Sequence, residues 1–220
     1  NERAPMGGAD DGSSWADAYR NLHSALSAAA ADTEVWVAEA TYRTDESGGF
    51  PKPERGAVFQ LKSDVALYGG FTGTETARDQ RDWETNVTVL SGDIEGDDGD
   101  DANGVVTDTA NIAGSNAYHV VDGSYTNSGA VLDGFTITAG HADGGATNSN
   151  GAGLYINSGS PTLRNLVFSG NLASGNGGGI YNTGDPTLTN VTFGGNVASV
   201  SGGGMSNYQG NLTLSDVVFS

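Results

Sequence analysis

A chain of 220 residues with 35 glycines, only 5 prolines and no three-residue glycine period has room for a sizeable core and is not collagen-like. Its 27 acidic against 9 basic residues give a formal charge of -18, which repels nucleic acid and anionic membranes and argues against both as partners. The absence of cysteine removes disulfides and thiolate metal sites, and no apolar run approaches the roughly 20 residues of a membrane helix, so no membrane insertion by this segment is expected.

Residues 1–33 read as an N-terminal segment holding the one helix candidate. Ser14 with Asp17 three residues later has capping-box spacing, and Trp15, Tyr19, Leu22, Leu26 and Ala29 follow at helical spacing. The expected helix would cap the first coil of whatever follows, because an uncovered solenoid end exposes core and strand edge.

Residues 34–150 read as early coils carrying long loops. "EVWVAEATY" from Glu34 and "NVTVLSGDI" from Asn86 are apolar strands expected to begin the first two coils. "DVALYGGFTG" from Asp64 and "AVLDGFTITAG" from Ala130 resemble looser copies of a later repeat. Loops are expected at 45–56, 72–86 and 95–116. The stretch "SGDIEGDDGDDANGVVTD" brings together Asp93, Glu95, Asp97, Asp98, Asp100, Asp101 and Asp108, a density of hard oxygen ligands that could hold Ca²⁺. An EF-hand starting at Asp93 fails, since its sixth position is Asp98 and its twelfth is Gly104. A solvated acidic loop is the competing reading.

Residues 151–220 hold regular repeats: "GAGLYINSGSPTLRNLVFSGNLASGN" from Gly151, "GGGIYNTGDPTLTNVTFGGNVASVS" from Gly177 and "GGGMSNYQGNLTLSDVVFS" from Gly202, at periods of 26 and 25. Self-similarity at this length marks a solenoid whose units must stack to bury their apolar faces. Leu163, Leu188 and Leu214 form one column, Leu166, Val191 and Val217 a second, and Phe168, Phe193 and Phe219 a third. Arg164, Thr189 and Ser215 alternate outward, as do Val167, Thr192 and Val218. The predicted fold is all-β: a right-handed parallel β-helix of about five coils with an N-terminal capping α-helix. Gly153, Gly179 and Gly204 are expected at tight corners, with positive φ or close backbone approach. Asn165, Asn190 and Asp216 are expected where the outline bends, with turn duty also for Asn171 and Asn196. The repeats read as truncated or open at the C-terminus, leaving Leu214, Val217 and Phe219 as a self-association edge.

"GGI" at Gly178 and "GGM" at Gly203, alternating with "FSGN" at Phe168 and "FGGN" at Phe193, resemble the GGA(I/L/V) and FxxN repeats of chlamydial polymorphic outer-membrane proteins. "DGSSWADAYRNLHSAL", "VWVAEATYRT" and "LYGGFTGTET" resemble the opening of right-handed β-helix surface proteins labelled choice-of-anchor Q domain proteins. The resemblance implies an exported protein at the cell surface or outside the cell, and is weak for function, because such solenoids host adhesins, scaffolds and polysaccharide enzymes alike.

A polysaccharide lyase needs an Arg or Lys base beside a neutralised uronate, yet Arg164 is the one basic side chain of the regular coils. A glycosidase needs facing carboxylates, and Asp133, Asp185 and Asp216 fall at different positions of the repeat. No catalytic residues are assigned. The expected function is therefore a non-enzymatic structural one: a stalk, adhesin, or filament or surface-layer subunit, polymerising end to end, with a cell-surface or glycan ligand as a further partner. The alternative is a polysaccharide-binding module or a lyase or hydrolase on the same scaffold, with Tyr155, Tyr181 and Tyr208 as sugar contacts.

Overall fold

Leucine and phenylalanine recurring every 25 residues can be buried only if each strand lies directly on its copy in the preceding turn. The computed structural model of the chain describes residues 8–46 and 54–220. Their strands form three parallel sheets wound into a right-handed parallel β-helix. The long sheet rises through Thr33–Ala38, Val65–Phe71, Val131–Thr138, Thr162–Ser169, Thr187–Gly194 and Thr213–Phe219. A second sheet stacks Phe59–Gln60, Val121–Asp122, Leu154–Ile156, Ile180–Asn182 and Met205–Asn207, and a third stacks His141–Ala142, Leu172–Ala173 and Val197–Ala198. The described chain thus completes five turns and opens a sixth.

The ladders run as the repeat predicts. Leu67, Leu132, Leu163, Leu188 and Leu214 share one register position, and Leu90, Ile137, Phe168, Phe193 and Phe219 share another. Phe168 stacks on Phe193 at 5.1 Å and Phe193 on Phe219 at 4.8 Å. Each such side chain contributes roughly 1.5 to 3 kcal/mol when fully buried. Strict alternation would send Leu166 outward, because it lies three residues after Leu163. Between them Asn165 adopts φ 50°, and Asn190 and Asp216 do the same at 54°. That left-handed residue resets the alternation, so Leu163, Leu166 and Phe168 all face the core.

Glycine serves two distinct purposes in "GGG". Positive φ falls on Gly151, Gly177 and Gly202, not on the predicted Gly153, Gly179 and Gly204. The latter column is a close approach instead: a Cβ on Gly179 would lie 2.4 Å from the Gly204 carbonyl oxygen and 2.9 Å from the Phe193 ring. The glycine face is therefore the floor on which the phenylalanine ladder rests.

Two expectations need correction. The helix spans only Leu22–Ala28, capped by Asn21, whose side chain accepts from the Ser24 N–H at 2.8 Å. Ser14 and Asp17 make one bond of their motif, the Asp17 N–H donating to Ser14 Oγ at 3.2 Å, while the Ser14 hydroxyl in turn donates to the Asp17 carboxylate at 2.8 Å. No helix follows them, because Asp17 also binds the N–H groups of Ala9, Asp11 and Gly12 and closes a loop. Trp15 leaves the helical stripe to pack against Trp36 and Phe71. The short helix still covers the first coil through Leu22 and Leu26, and Lys62 Nζ donates to the carbonyls of Leu26 and Ala29 near its end.

The strand after Asn86 does not begin a coil. Thr88–Ser91 pairs with the second half of Val131–Thr138, while Val65–Phe71 pairs with the first half. Residues 72–87 are thus inserted within one level of the long sheet. The insertion is pinned at Gly70, whose carbonyl accepts from the Asp82 N–H and Asn86 Nδ2 and whose N–H donates to Thr88 Oγ1. Of the predicted loop at 45–56, residues 47–53 lie outside the described residues.

Candidate functional site

The acidic stretch begins where the strand Thr88–Ser91 ends, so its first carboxylate is anchored by the sheet. Asp93 is 3% exposed and pairs with Asn116 in an antiparallel bridge that closes the loop between them. Its Oδ1 accepts from the Gly96 N–H at 2.7 Å, and its Oδ2 lies 3.8 Å from an Arg43 guanidinium nitrogen. Asp93, Asp97 and Asp98 each offer an oxygen within 4.8 Å of the others. Asp98 accepts from the Ala113 N–H at 2.6 Å and from Asn116 Nδ2 at 2.7 Å. Burial pushes the Asp98 carboxyl above its ordinary value, and the charges of Asp93 and Asp97 push it the same way against those two hydrogen bonds.

Glu95 joins the rim, its Oε2 accepting from the Ser115 N–H at 2.7 Å. Gly114, at φ 52°, makes room for it: a Cβ there would lie 2.5 Å from an Asp97 carboxylate oxygen and 2.8 Å from Glu95 Oε2. The other predicted ligands are elsewhere. Asp101 binds the N–H groups of Asn103 and Val105, Asp108 caps the turn at Thr109–Asn111, and Asp100 is exposed. Density of acids in the sequence thus overstates the cluster, which gathers three of the seven, with Glu95 at its rim.

The remaining carboxylates form no facing pair among the described residues. Asp133 accepts from Arg81 at 2.7 Å and from Asn165 Nδ2 at 2.7 Å, in an ion pair with both side chains 8% exposed. Asp185 accepts from the Asn211 N–H and Asp216 from Ser215 Oγ. Three further arginines are occupied in the same way: Arg43 sits beside Asp93, Arg55 binds Asp143, and Arg78 binds Glu34. Arg164 is exposed above Asp133 in register.

One polar cluster had no signature in the sequence. Arg55 donates to the carbonyls of Asn116 and His141, pairs with Asp143 and lies 4.3 Å above the Tyr118 ring. Burial lowers the His141 pKa, Asp143 opposing and Arg55 assisting. These residues are up to 88 positions apart, so no spacing links them. Their geometry ties inserted chain to the coils.

Tyr155 and Tyr181 stack on one another at 5.7 Å, with His119 beside Tyr155 at 5.0 Å, so the two tyrosines cover each other's faces. Tyr208 stands exposed. At the last strand, Leu214 is 46% and Phe219 55% exposed, while Val217 packs partly against the core.

No helix among the described residues is long and apolar enough to cross a membrane. No curated protein and no solved structure matches the chain. A family model described as "Protein of unknown function (DUF1565)" matches residues 6–216. With stacked parallel coils, continuous ladders and a match over nearly its whole length, the chain belongs to that family of right-handed β-helix proteins.

Proposed function

We propose that the chain is a non-catalytic structural segment of an exported protein, a stiff β-solenoid stalk that displays its early loops at a cell surface and associates through stacked coils. The observation that carries this reading is the unbroken set of interior ladders, which unites every level of the long sheet in one core. Solenoid stability is a sum of such neighbour contacts, so the product of this geometry is stiffness along the axis. The resemblance of the Gly-Gly and FxxN signatures to exported surface solenoids supports the location.

Catalysis fits less well. A lyase base must be a free cation beside an acidic polymer, whereas Arg43, Arg55, Arg78 and Arg81 lie against carboxylates and the whole chain carries -18. Sugar stacking would need open aromatic faces; Tyr155 and Tyr181 turn a face to each other, and of the three expected contacts Tyr208 is the exposed one.

Association would run coil on coil, since the columns that include Leu214 and Phe219 repeat from strand to strand and fit the same columns of a second copy. Sedimentation velocity at rising concentration tests this. Association that is lost in a Leu214→Lys/Phe219→Lys variant with unchanged circular dichroism is expected; a wild-type chain that stays monomeric sinks end-to-end assembly. Ultraviolet-absorbing unsaturated product from uronate polymers would overturn the non-catalytic reading.

A further inference from the structure

Holding like charges together in a partly buried place costs free energy, and the structure does this where the loop between Asp93 and Asn116 closes. Asp93, Asp97 and Asp98 converge within 4.8 Å, with Glu95 on the rim, and the neighbouring positive group is Arg43 at 3.8 Å from Asp93. One guanidinium does not balance the three carboxylates of the cluster. The backbone is shaped to keep them close, since Gly114 lacks the Cβ that would drive Asp97 and Glu95 apart.

A second observation is independent of the acids. Asn116 is fully buried, and its Oδ1 has no hydrogen-bond partner. The same amide holds Asp98 Oδ2 through Nδ2, and its residue is the bridge partner of Asp93, so the two side chains share a face. An unsatisfied buried acceptor costs about 1 to 3 kcal/mol, and an oxygen on the amide that binds Asp98 is what a cation held by these carboxylates would satisfy.

We infer that Asp93, Asp97, Asp98 and the Asn116 side-chain oxygen form a binding site for one divalent cation of the calcium type, which fastens the loop between Asp93 and Asn116 to the coils. The donors are all oxygen, mixing carboxylate and amide, and the exposed side at Asp97 leaves room for water. Calcium tolerates such irregular sets of six to eight oxygens, whereas magnesium demands a near-ideal octahedron. The mechanical consequence follows from the connections: Asp93 continues from Thr88–Ser91, and Asn116 Nδ2 also holds the Ala139 carbonyl one level on. An ion here would lock the two ends of the loop to consecutive levels. This inference does not depend on the structural role proposed above, because an enzyme built on the same coils would carry the site equally well.

The test uses the full chain after chelator treatment, titrated with CaCl₂ by calorimetry and followed by thermal melting. Saturable binding of one ion per chain is expected, with Kd in the range of about 0.1 to 1 mM found for extracellular modules. The melting temperature should rise by about 5 °C at roughly 10 mM calcium. Asp97→Asn should weaken binding at least about tenfold, as loss of a charged ligand does. That variant keeps the fold within reach, because the Asp97 carboxylate is exposed and accepts no hydrogen bond among the described residues. Asp100→Asn, an exposed change in the same loop, should leave the affinity as it is. The site is refuted by heats that never saturate, by an Asp97→Asn chain that binds like the wild type, or by an equal melting shift from magnesium at matched ionic strength, which would mean screening of the net charge alone.

Discussion

Replacing Asn171 by alanine separates the contribution of the interior asparagines from that of the apolar ladders around them. Asn171 is 0% exposed, and its Nδ2 donates to Ile137 O at 3.0 Å, Ser169 O at 3.2 Å and Asn196 Oδ1 at 2.9 Å. Its Oδ1 accepts from the buried Gly140 N–H at 3.0 Å. Alanine leaves that N–H unpaired, a loss of about 1 to 3 kcal/mol, and takes a donor from two backbone carbonyls at about 1 kcal/mol each. The sum is about 3 to 5 kcal/mol, or a melting temperature lower by roughly 8 to 16 °C for a chain of this size. Asn196 offers the internal control: it repeats the geometry one coil later, donating to Phe168 O and Gly194 O, but is only half-buried. Water can replace its bonds, so Asn196→Ala should cost about 1 to 2 kcal/mol. Asn171→Asp should be worse than alanine, because a carboxylate would face three acceptors. Urea unfolding followed by circular dichroism reads all three from midpoints at unchanged slope. If Asn171→Ala falls within about 1 kcal/mol of the wild type, or matches Asn196→Ala, the buried hydrogen bonds are not what holds this corner.

Phe193, stacked between Phe168 and Phe219, should lose about 3 to 5 kcal/mol as Phe193→Ala, whereas Phe219→Ala on the half-exposed final strand should lose far less; equal losses in denaturant midpoints would contradict the ladder. The His119 pKa is lowered chiefly by burial, so as pH falls through 6.5 the unfolded chain takes up its proton before the folded one does. Stability is therefore full above that pH and declines below it toward the folded pKa. His119→Gln should flatten this slope in melts between about pH 7.5 and 5, and an unchanged slope would assign the effect elsewhere.

The regular coils were legible because one physical unit is written three times. Leu163, Leu188 and Leu214 align by eye, and Asn165, Asn190 and Asp216 mark a left-handed residue that few other side chains accept. The early coils resisted reading where insertion broke the period: nothing in "NVTVLSGDI" says that it finishes a level begun at Val65. Ser14 and Asp17 carried a helix-start signal of which one bond forms, yet loop closure through Asp17 outcompeted the helix. The acidic cluster was legible as a region and not as a set. Which carboxylates converge depends on Gly114 and Asn116, some twenty residues later, while Asp101 and Asp108 serve their own turns. Arg55 with Asp143 was invisible for the same reason, as the pair exists only once the coils are wound.

Because Thr187–Gly194 meets the strands before and after it through matching columns, one repeat is an interchangeable brick. Duplicating Gly177 to Ser201 in the gene would add a layer about 4.8 Å thick whose upper and lower surfaces already fit what they touch. The length of the solenoid would therefore change in fixed steps by slippage of the coding repeat, with no redesign of the interior.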